Sequence, residues 1–290
     1  IVVDKYVSRG KMYPGGQCLN TCVYANQIGI RAAYLGVCGE GVEAQLIEDT
    51  LNTKGIEHDR CRYIPGEGGF ALVTLRDGDR VFLGSNKGGV ARTHLLELTQ
   101  EDLAYAQGFS LVYSNSNGFA DRELPKLKAA GIPIAFDFSD RWTPDYLQAT
   151  LPWVDIALLS CSHLPAGQRE EVLAQALHLG ARIAVATAGQ EGSWVLWEGK
   201  LFHAPAARAA QVVDTMGAGD AYFAAFLCSL LKTAGEEGLF ARDLSHRIPQ
   251  AMGQAAAYAA QTCALEGAFG GGVTLAGRTE LTPLEKDLSL

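Results

Sequence analysis

Residues 214–231 read Asp-Thr-Met-Gly-Ala-Gly-Asp-Ala-Tyr-Phe-Ala-Ala-Phe-Leu-Cys-Ser-Leu-Leu, a turn of small residues running without a break into an apolar stretch. The stretch is too long for an ordinary strand and rich in helix formers, so it predicts a buried helix whose N-terminus opens on a tight loop. The first N–H groups of a helix lack partners inside it and carry the positive end of its dipole, which makes such a loop an anion site. Gly217 and Gly219 let the backbone approach a bound group closely, because no Cβ intervenes. Asp220 does not suit a site that only holds phosphate, since a carboxylate would repel it. It suits one where the carboxylate takes the proton of an attacking hydroxyl while amides hold the charge growing on the transferred group. The plain alternative is a helix cap.

The 290 residues, 48% hydrophobic and 19% charged, suffice for a large core. A formal net charge of −8 argues against a nucleic-acid surface, which needs a basic face. An anionic co-substrate must then be held by local donors and metal. Seven cysteines, at 18, 22, 38, 61, 161, 228 and 263, form no Cys-x-x-Cys pair and have no His at zinc spacing. They read as reduced thiols of a cytoplasmic protein, with Cys18 and Cys22 sharing a helix face for packing. No signal-peptide pattern is present, and the apolar run at 221–231 is far short of the ~20 residues of a membrane helix, so no membrane partner is expected. The first residue is Ile1, not Met, from which further natural sequence upstream is expected.

Along the chain, residues 1–7 read as a strand in which Asp4, on pattern alone, is a solvated carboxylate. Residues 14–29 predict a helix opened by Gly15 and Gly16 and closed by Gly29, with Asn20 on its first turn. A buried strand over 31–39 and a helix over 43–54 follow, an order that suggests a parallel sheet. Residues 69–75 and 80–84, around Asp77-Gly78, form a predicted hairpin whose exposed edge invites a second copy. Alternation then resumes, with strands at 111–114, 134–142, 155–160 and 183–187 and a helix at 122–130. A return strand at 195–197 is expected as the last before Asp214, and a small-residue helix at 248–265. Ligands of open parallel sheets lie beyond the carboxyl ends of strands, which favours Asp137, Ser139 and Arg141. Arg141 is the candidate cation for a γ-phosphate or a charged substrate. A capping Asp and a surface Arg are the alternative.

The string 214–220 with its apolar helix resembles the signature of the ribokinase-like (PfkB) carbohydrate kinases. The resemblance implies an α/β fold, a three-layer α/β/α sandwich with a central, mostly parallel sheet and a small β-lid. It further implies one kinase domain over 1–290, with the lid from about 4–14 and 61–90 and a homodimer formed through that lid. Asp220 would be the general base and Gly217, Ala218 and Gly219 the anion hole. Gly15-Gly16 and Asn20 match Gly-Gly-x-x-x-Asn, whose groups bind sugar hydroxyls, and the preceding acid that grips two more matches Asp4. Such groups suit a polyol, since each hydroxyl both donates and accepts. Gly36-x-x-Gly39 followed by Glu40 is similar to the family's Gly-x-x-Gly-x-Asp. Thr187, Gly189 and Gly192 match Thr-x-Gly-x-x-Gly, implying contacts to the phosphates and ribose of ATP, and the helix at 248–265 would lie near adenine. Where the family has Asn-x-x-Glu this chain has Ser160-Cys161-Ser162-His163, so no metal ligand is assigned. Mg²⁺ would be held mainly by water and ATP oxygens. Asp214 is the implied position of a K⁺ site.

ATP-dependent phosphorylation of a primary hydroxyl follows from the resemblance. The strings 135–142, 79–82 and 214–220 look like the branch that phosphorylates Amadori adducts such as fructoselysine at the 6-hydroxyl. The amino-acid half of such a substrate would need a carboxylate and a cation, for which Glu67, Arg76 and Arg80 are candidates. The same motifs permit fructose, 2-keto-3-deoxygluconate or a nucleoside as acceptor. A catalytically silent sugar-binding member is the non-enzymatic alternative.

Overall fold

The computed structural model describes the backbone of residues 1–76, 79–235, 238–241 and 243–287, and the side chains of all of these except 75, 76, 79, 80 and 287. The Asp77-Gly78 turn, and Arg76 and Arg80 as substrate contacts, therefore lie outside the described residues. In chain order the elements are β1 (Val2–Tyr6), β2 (Lys11–Gly15), α1 (Gln17–Ile28), β3 (Val37–Glu40), α2 (Val42–Thr53), β4 (Arg62–Glu67), β5 (Phe70–Arg76), β6 (Asp79–Ser85), α3 (Val90–Thr93), α4 (Gln100–Ala106), β7 (Val112–Asn115), α5 (Leu124–Ala129), β8 (Ile134–Asp137), α6 (Pro144–Thr150), β9 (Ile156–Ser160), α7 (Ala166–His178), β10 (Ile183–Thr187), β11 (Ser193–Trp197), β12 (Lys200–Ala204), α8 (Ala218–Lys232), α9 (Arg247–Thr262), β13 (Val273–Thr274) and α10 (Pro283–Asp287). Among the described residues no helix is long and apolar enough to cross a membrane.

These elements form two compact units, one of Ile1–Leu96, Ala209–Ala221 and Gln261–Leu290, the other of Glu97–Arg208 and Tyr222–Ala260. In the first unit a five-stranded sheet has the order β13-β2-β1-β5-β6. The two segments that the family resemblance assigns to a lid meet here, since β1 runs parallel to β5 from Val3–Phe70 to Tyr6–Val73. The expected hairpin is present, its strands antiparallel and closing on the Arg76–Asp79 pair. β1 buries Lys5 completely. Its ammonium lies over the Phe70 ring at 4.5 Å, is paired with the Glu43 carboxylate, and donates to the Arg278 carbonyl at 2.6 Å. Such a charge is tolerated inside only because it is paired and hydrogen-bonded.

The strand expected over 31–39 is shorter and less buried than the sequence suggests. Only Val37–Glu40 is regular, half-buried and parallel to β4 across α2, and Ala33 makes an isolated bridge with Glu57. The apolar residues before it serve packing without a ladder: an added Cβ on Gly36 would sit 2.2 Å from the Tyr34 hydroxyl, so that side chain folds back over the backbone.

In the second unit the order is β12-β11-β10-β9-β8-β7. β7 to β10 are parallel, while β11 and β12 return antiparallel. β8 reads Ile-Ala-Phe-Asp and is buried throughout, as expected of a strand covered on both faces. Ile134, Phe136, Ala157, Leu159, Ala184 and Ala186 meet Leu124 and Leu127 of α5, Leu147 of α6 and Val172 and Leu173 of α7. On the opposite face Tyr113 of β7 meets Phe223 of α8 edge-on at 5.9 Å. β12 is a correction: two strands, not one, separate Thr187 from Asp214. Its partly exposed Lys-Leu-Phe-His-Ala gives little apolar signal.

Candidate active site

The loop before α8 is built by its own sequence. Asp214, 6% exposed, accepts the Met216 N–H at Oδ1 (3.0 Å), the local turn that short acidic side chains favour. Its Oδ2 accepts the Tyr6 hydroxyl at 2.7 Å and the Gly267 N–H at 3.1 Å. Gly217 follows with φ 72°, and a Cβ there would lie 2.7 Å from Ala268 Cβ and 2.8 Å from the Tyr24 hydroxyl. Only glycine fits. Helix α8 begins at the next residue, so Ala218, Gly219 and Asp220 form its first turn, where the dipole favours an anion; the Ala218 N–H itself donates to the Thr215 carbonyl at 3.3 Å. A Cβ on Gly219 would meet nothing within 4 Å, so the side of this turn that it faces is open.

Asp220 is 9% exposed and its Oδ2 accepts the Asn20 side-chain N–H at 2.6 Å. Asn20, itself 2% exposed, stands on the first turn of α1, with its backbone N–H bonded to the Gly16 carbonyl at 2.9 Å. The Asn20 Oδ1 is buried with no hydrogen-bond partner among the described residues. Gly16 starts the helix at φ 94°. Gly15 leaves room for the Asp4 carboxylate, whose Oδ2 an added Cβ would crowd. The first unit thus gathers Asp4, Gly15, Gly16, Asn20, Asp214 and the 217–220 turn. A buried carboxylate beside a helix N-terminus, held by an amide with a spare acceptor, can bind a hydroxyl and take its proton.

The remaining candidates belong to the second unit. Asp137 closes β8, is buried, and its Oδ1 accepts the Ser139 N–H at 2.7 Å, holding Ser139 at φ 57°. Arg141 is exposed in the loop that follows. Thr187 ends β10, and Gly189 opens the next turn at φ 54° with its nearest contact, Ser162 Oγ, 3.8 Å from an added Cβ. Gly192 has a packing reason for being glycine, since a Cβ there would fall 2.2 Å from the Ala204 carbonyl. Sequence reasoning missed Arg169. Buried in α7, it forks onto both Glu191 oxygens at 2.7 and 2.8 Å and lies over the Trp194 ring at 4.9 Å, which pins the 188–192 turn.

Glu67, a candidate for the substrate's amino group, already has partners. The Arg278 guanidinium reaches both its oxygens at 3.1 and 2.6 Å, and Asn86 donates at 3.1 Å. Arg278 also forks onto Glu285 and its guanidinium covers the Phe70 ring at 4.9 Å. Those bonds hold Glu67 below the usual carboxylate range and bring Glu285 to about 2. No signal in the sequence pointed to this network.

Residues 2–270 match the model of the pfkB family carbohydrate kinases. Among known proteins the chain is similar to fructosamine kinase FrlD of Bacillus subtilis, at 33% identity over 93% of this chain and 91% of that protein. It is also similar to fructoselysine 6-kinase of Escherichia coli, at 32% identity over 92% and 96%. Among solved structures it resembles Arabidopsis thaliana ribokinase complexed with ribose and ATP (TM-score 0.73, 22% identity, 89% of this chain and 84% of that one). It likewise resembles fructokinase from Xylella fastidiosa with bound ATP (TM-score 0.76, 19% identity, 92% and 91%). The α/β fold is therefore ribokinase-like. With the family model matched over nearly its whole length, the chain belongs to the pfkB family of carbohydrate kinases and is a phosphotransferase with a sugar alcohol as acceptor.

Proposed function

We propose that the protein uses ATP to phosphorylate the 6-hydroxyl of fructoselysine or a similar Amadori adduct. The observation that supports the chemistry is the Asn20–Asp220 contact, an amide bonded to a carboxylate on the first turn of α8. Two relatives named for fructosamine and fructoselysine, each about a third identical over nearly the whole chain, support the substrate class.

In this reading Asp4, Gly15, Gly16 and Asn20 hold the sugar so that its primary hydroxyl lies against Asp220. The carboxylate takes the hydroxyl proton as the oxygen bonds to the γ-phosphorus and ADP departs. The amides of Gly217, Ala218 and Gly219 balance charge on the equatorial oxygens. Within the second unit, Thr187, Gly189 and Gly192 are the candidates for nucleotide contacts and Asp137 and Arg141 for substrate contacts. Mg²⁺ would arrive on the nucleotide with its waters and there offset phosphate charge. Asp214 already accepts from one O–H and two N–H donors, with which a K⁺ at its oxygens would compete. No step is routed through K⁺ there.

The test is ADP release by the purified protein on fructoselysine, fructose, 2-keto-3-deoxygluconate and a nucleoside. A kcat/KM on fructoselysine at least about tenfold above free fructose, the discrimination worth 1.4 kcal/mol, is expected. Equal or better turnover of fructose removes the Amadori assignment, and no turnover of any acceptor removes the kinase mechanism.

A further inference from the structure

We propose that Tyr6 and Tyr24 are positioning residues for phosphoryl transfer, each tying the loop that shapes the anion cradle to an element that carries an acceptor-binding residue. The inference rests on the reading of residues 214–220 as that cradle.

Tyr6 stands in β1 two residues after Asp4, so both side chains leave the same face of the strand. It is fully buried, and its hydroxyl donates to Asp214 Oδ2 at 2.7 Å. Asp214 in turn fixes the Met216 and Gly267 amides, and the Met216 side chain packs against Tyr6, Tyr13 and Val73. The residues leading into Gly217 are thus bonded to β1 and packed on β2 and β5.

Tyr24 stands in α1 four residues after Asn20, one helical turn along the same face. It is fully buried and its hydroxyl donates to the Ala268 carbonyl at 2.5 Å. That same hydroxyl and Ala268 are the two groups that crowd the missing Cβ of Gly217. One tyrosine therefore fixes the start of the loop and the other its last residue before α8. Both phenols come from elements whose other side chains would grip the sugar.

Stabilisation of a transferring phosphoryl group depends on donor placement to a fraction of an ångström, whereas binding of the sugar by Asp4 and Asn20 does not involve the loop amides. Loosening the loop should therefore raise the barrier and leave acceptor affinity alone. A tyrosine that only fills the core would instead lower stability and leave turnover per folded molecule unchanged.

The experiment compares wild type with Tyr6→Phe and Tyr24→Phe in the full chain, using the best acceptor of the wild type. It measures kcat and KM for the acceptor, acceptor Kd by calorimetry, and Tm. The expected result is a kcat lowered by about tenfold, below the ~10²–10³ seen on deleting an oxyanion donor outright, with KM and Kd within about twofold. Should either variant fail to fold, the other tests the opposite end of the loop, and Asp214→Asn, which weakens the Tyr6 bond at constant shape, tests the first end again. An active wild type with unchanged kcat in the folded variants overturns the positioning role alone. A wild type without turnover overturns the cradle reading and this inference together.

Discussion

The side-chain amide of Asn20 meets the carboxylate of Asp220 at 2.6 Å, joining the first turns of two helices that lie 200 residues apart in sequence. Both groups are buried, so the bond is formed away from competing water and fixes the carboxylate's orientation. If Asp220 is the base, Asp220→Asn keeps acceptor affinity and lowers kcat by ~10²–10⁴. Asn20→Ala removes the amide that orients the carboxylate and binds the acceptor, so kcat/KM for the acceptor should fall by about tenfold or more. Steady-state kinetics and acceptor calorimetry on both variants check this, and undiminished kcat in Asp220→Asn counts against the base assignment.

Gly217 and Gly219 should respond in opposite ways to alanine. At Gly217 the new Cβ meets a left-handed backbone and two atoms under 3 Å away, at a cost of about 1–3 kcal/mol in stability. At Gly219 it meets nothing and helix propensity improves by up to ~1 kcal/mol. Gly219→Ala is thus expected to keep or raise Tm and to lose turnover, because its methyl occupies the space left for phosphate. Thermal unfolding beside kinetics separates the two, and full activity in Gly219→Ala would place the phosphate elsewhere.

On β6, an edge of the five-stranded sheet, Phe82 and Leu83 are 46% and 47% exposed. An edge strand with apolar side chains tends to pair. Light scattering should give the mass of two chains for the wild type and of one for Phe82→Lys. A monomeric wild type rules out assembly through this edge.

Arg278 depresses the carboxyls of Glu67 and Glu285, the latter from an ordinary 4.5 to about 2. A carboxylate with a lowered folded-state value contributes stability above its unfolded value and loses it as pH falls through the folded one. The segment around Arg278 should therefore loosen between about pH 4.5 and 2. Hydrogen exchange over residues 277–287 is expected to rise across that window, and Arg278→Met to flatten the response. Pinning that survives pH 2 unchanged would show that the ion pairs do not hold it.

Much of this molecule is local enough to read directly. The turn of 214–220, the glycine-opened helix that presents Asn20 and the hairpin of β5 and β6 depend on spacing and turn chemistry within a dozen residues. The misreadings have physical causes. β3 is short because residues 31–36 pair their backbone only at isolated points, such as the Ala33–Glu57 bridge, and β12 was invisible because an exposed strand carries little apolar pattern. The Tyr6–Asp214, Arg169–Glu191 and Glu67–Arg278 bonds could not be foreseen, since only folding makes those residues neighbours. Gly192, which a motif assigns to nucleotide, is also demanded by the Ala204 carbonyl, so one residue can satisfy motif and packing at once.

The buried ammonium of Lys5 sets an order of assembly. Its acceptor on Arg278 lies 273 positions further along the chain, and β13 must reach β2 from the same distant segment. On a ribosome the opening strand and its Glu43 partner would therefore emerge long before the carbonyl that completes the ammonium's hydrogen bonds. Until then the ammonium, already paired with Glu43, would lack its second acceptor and β2 its β13 neighbour, so nascent chains released before that point should be more open to proteolysis than complete ones.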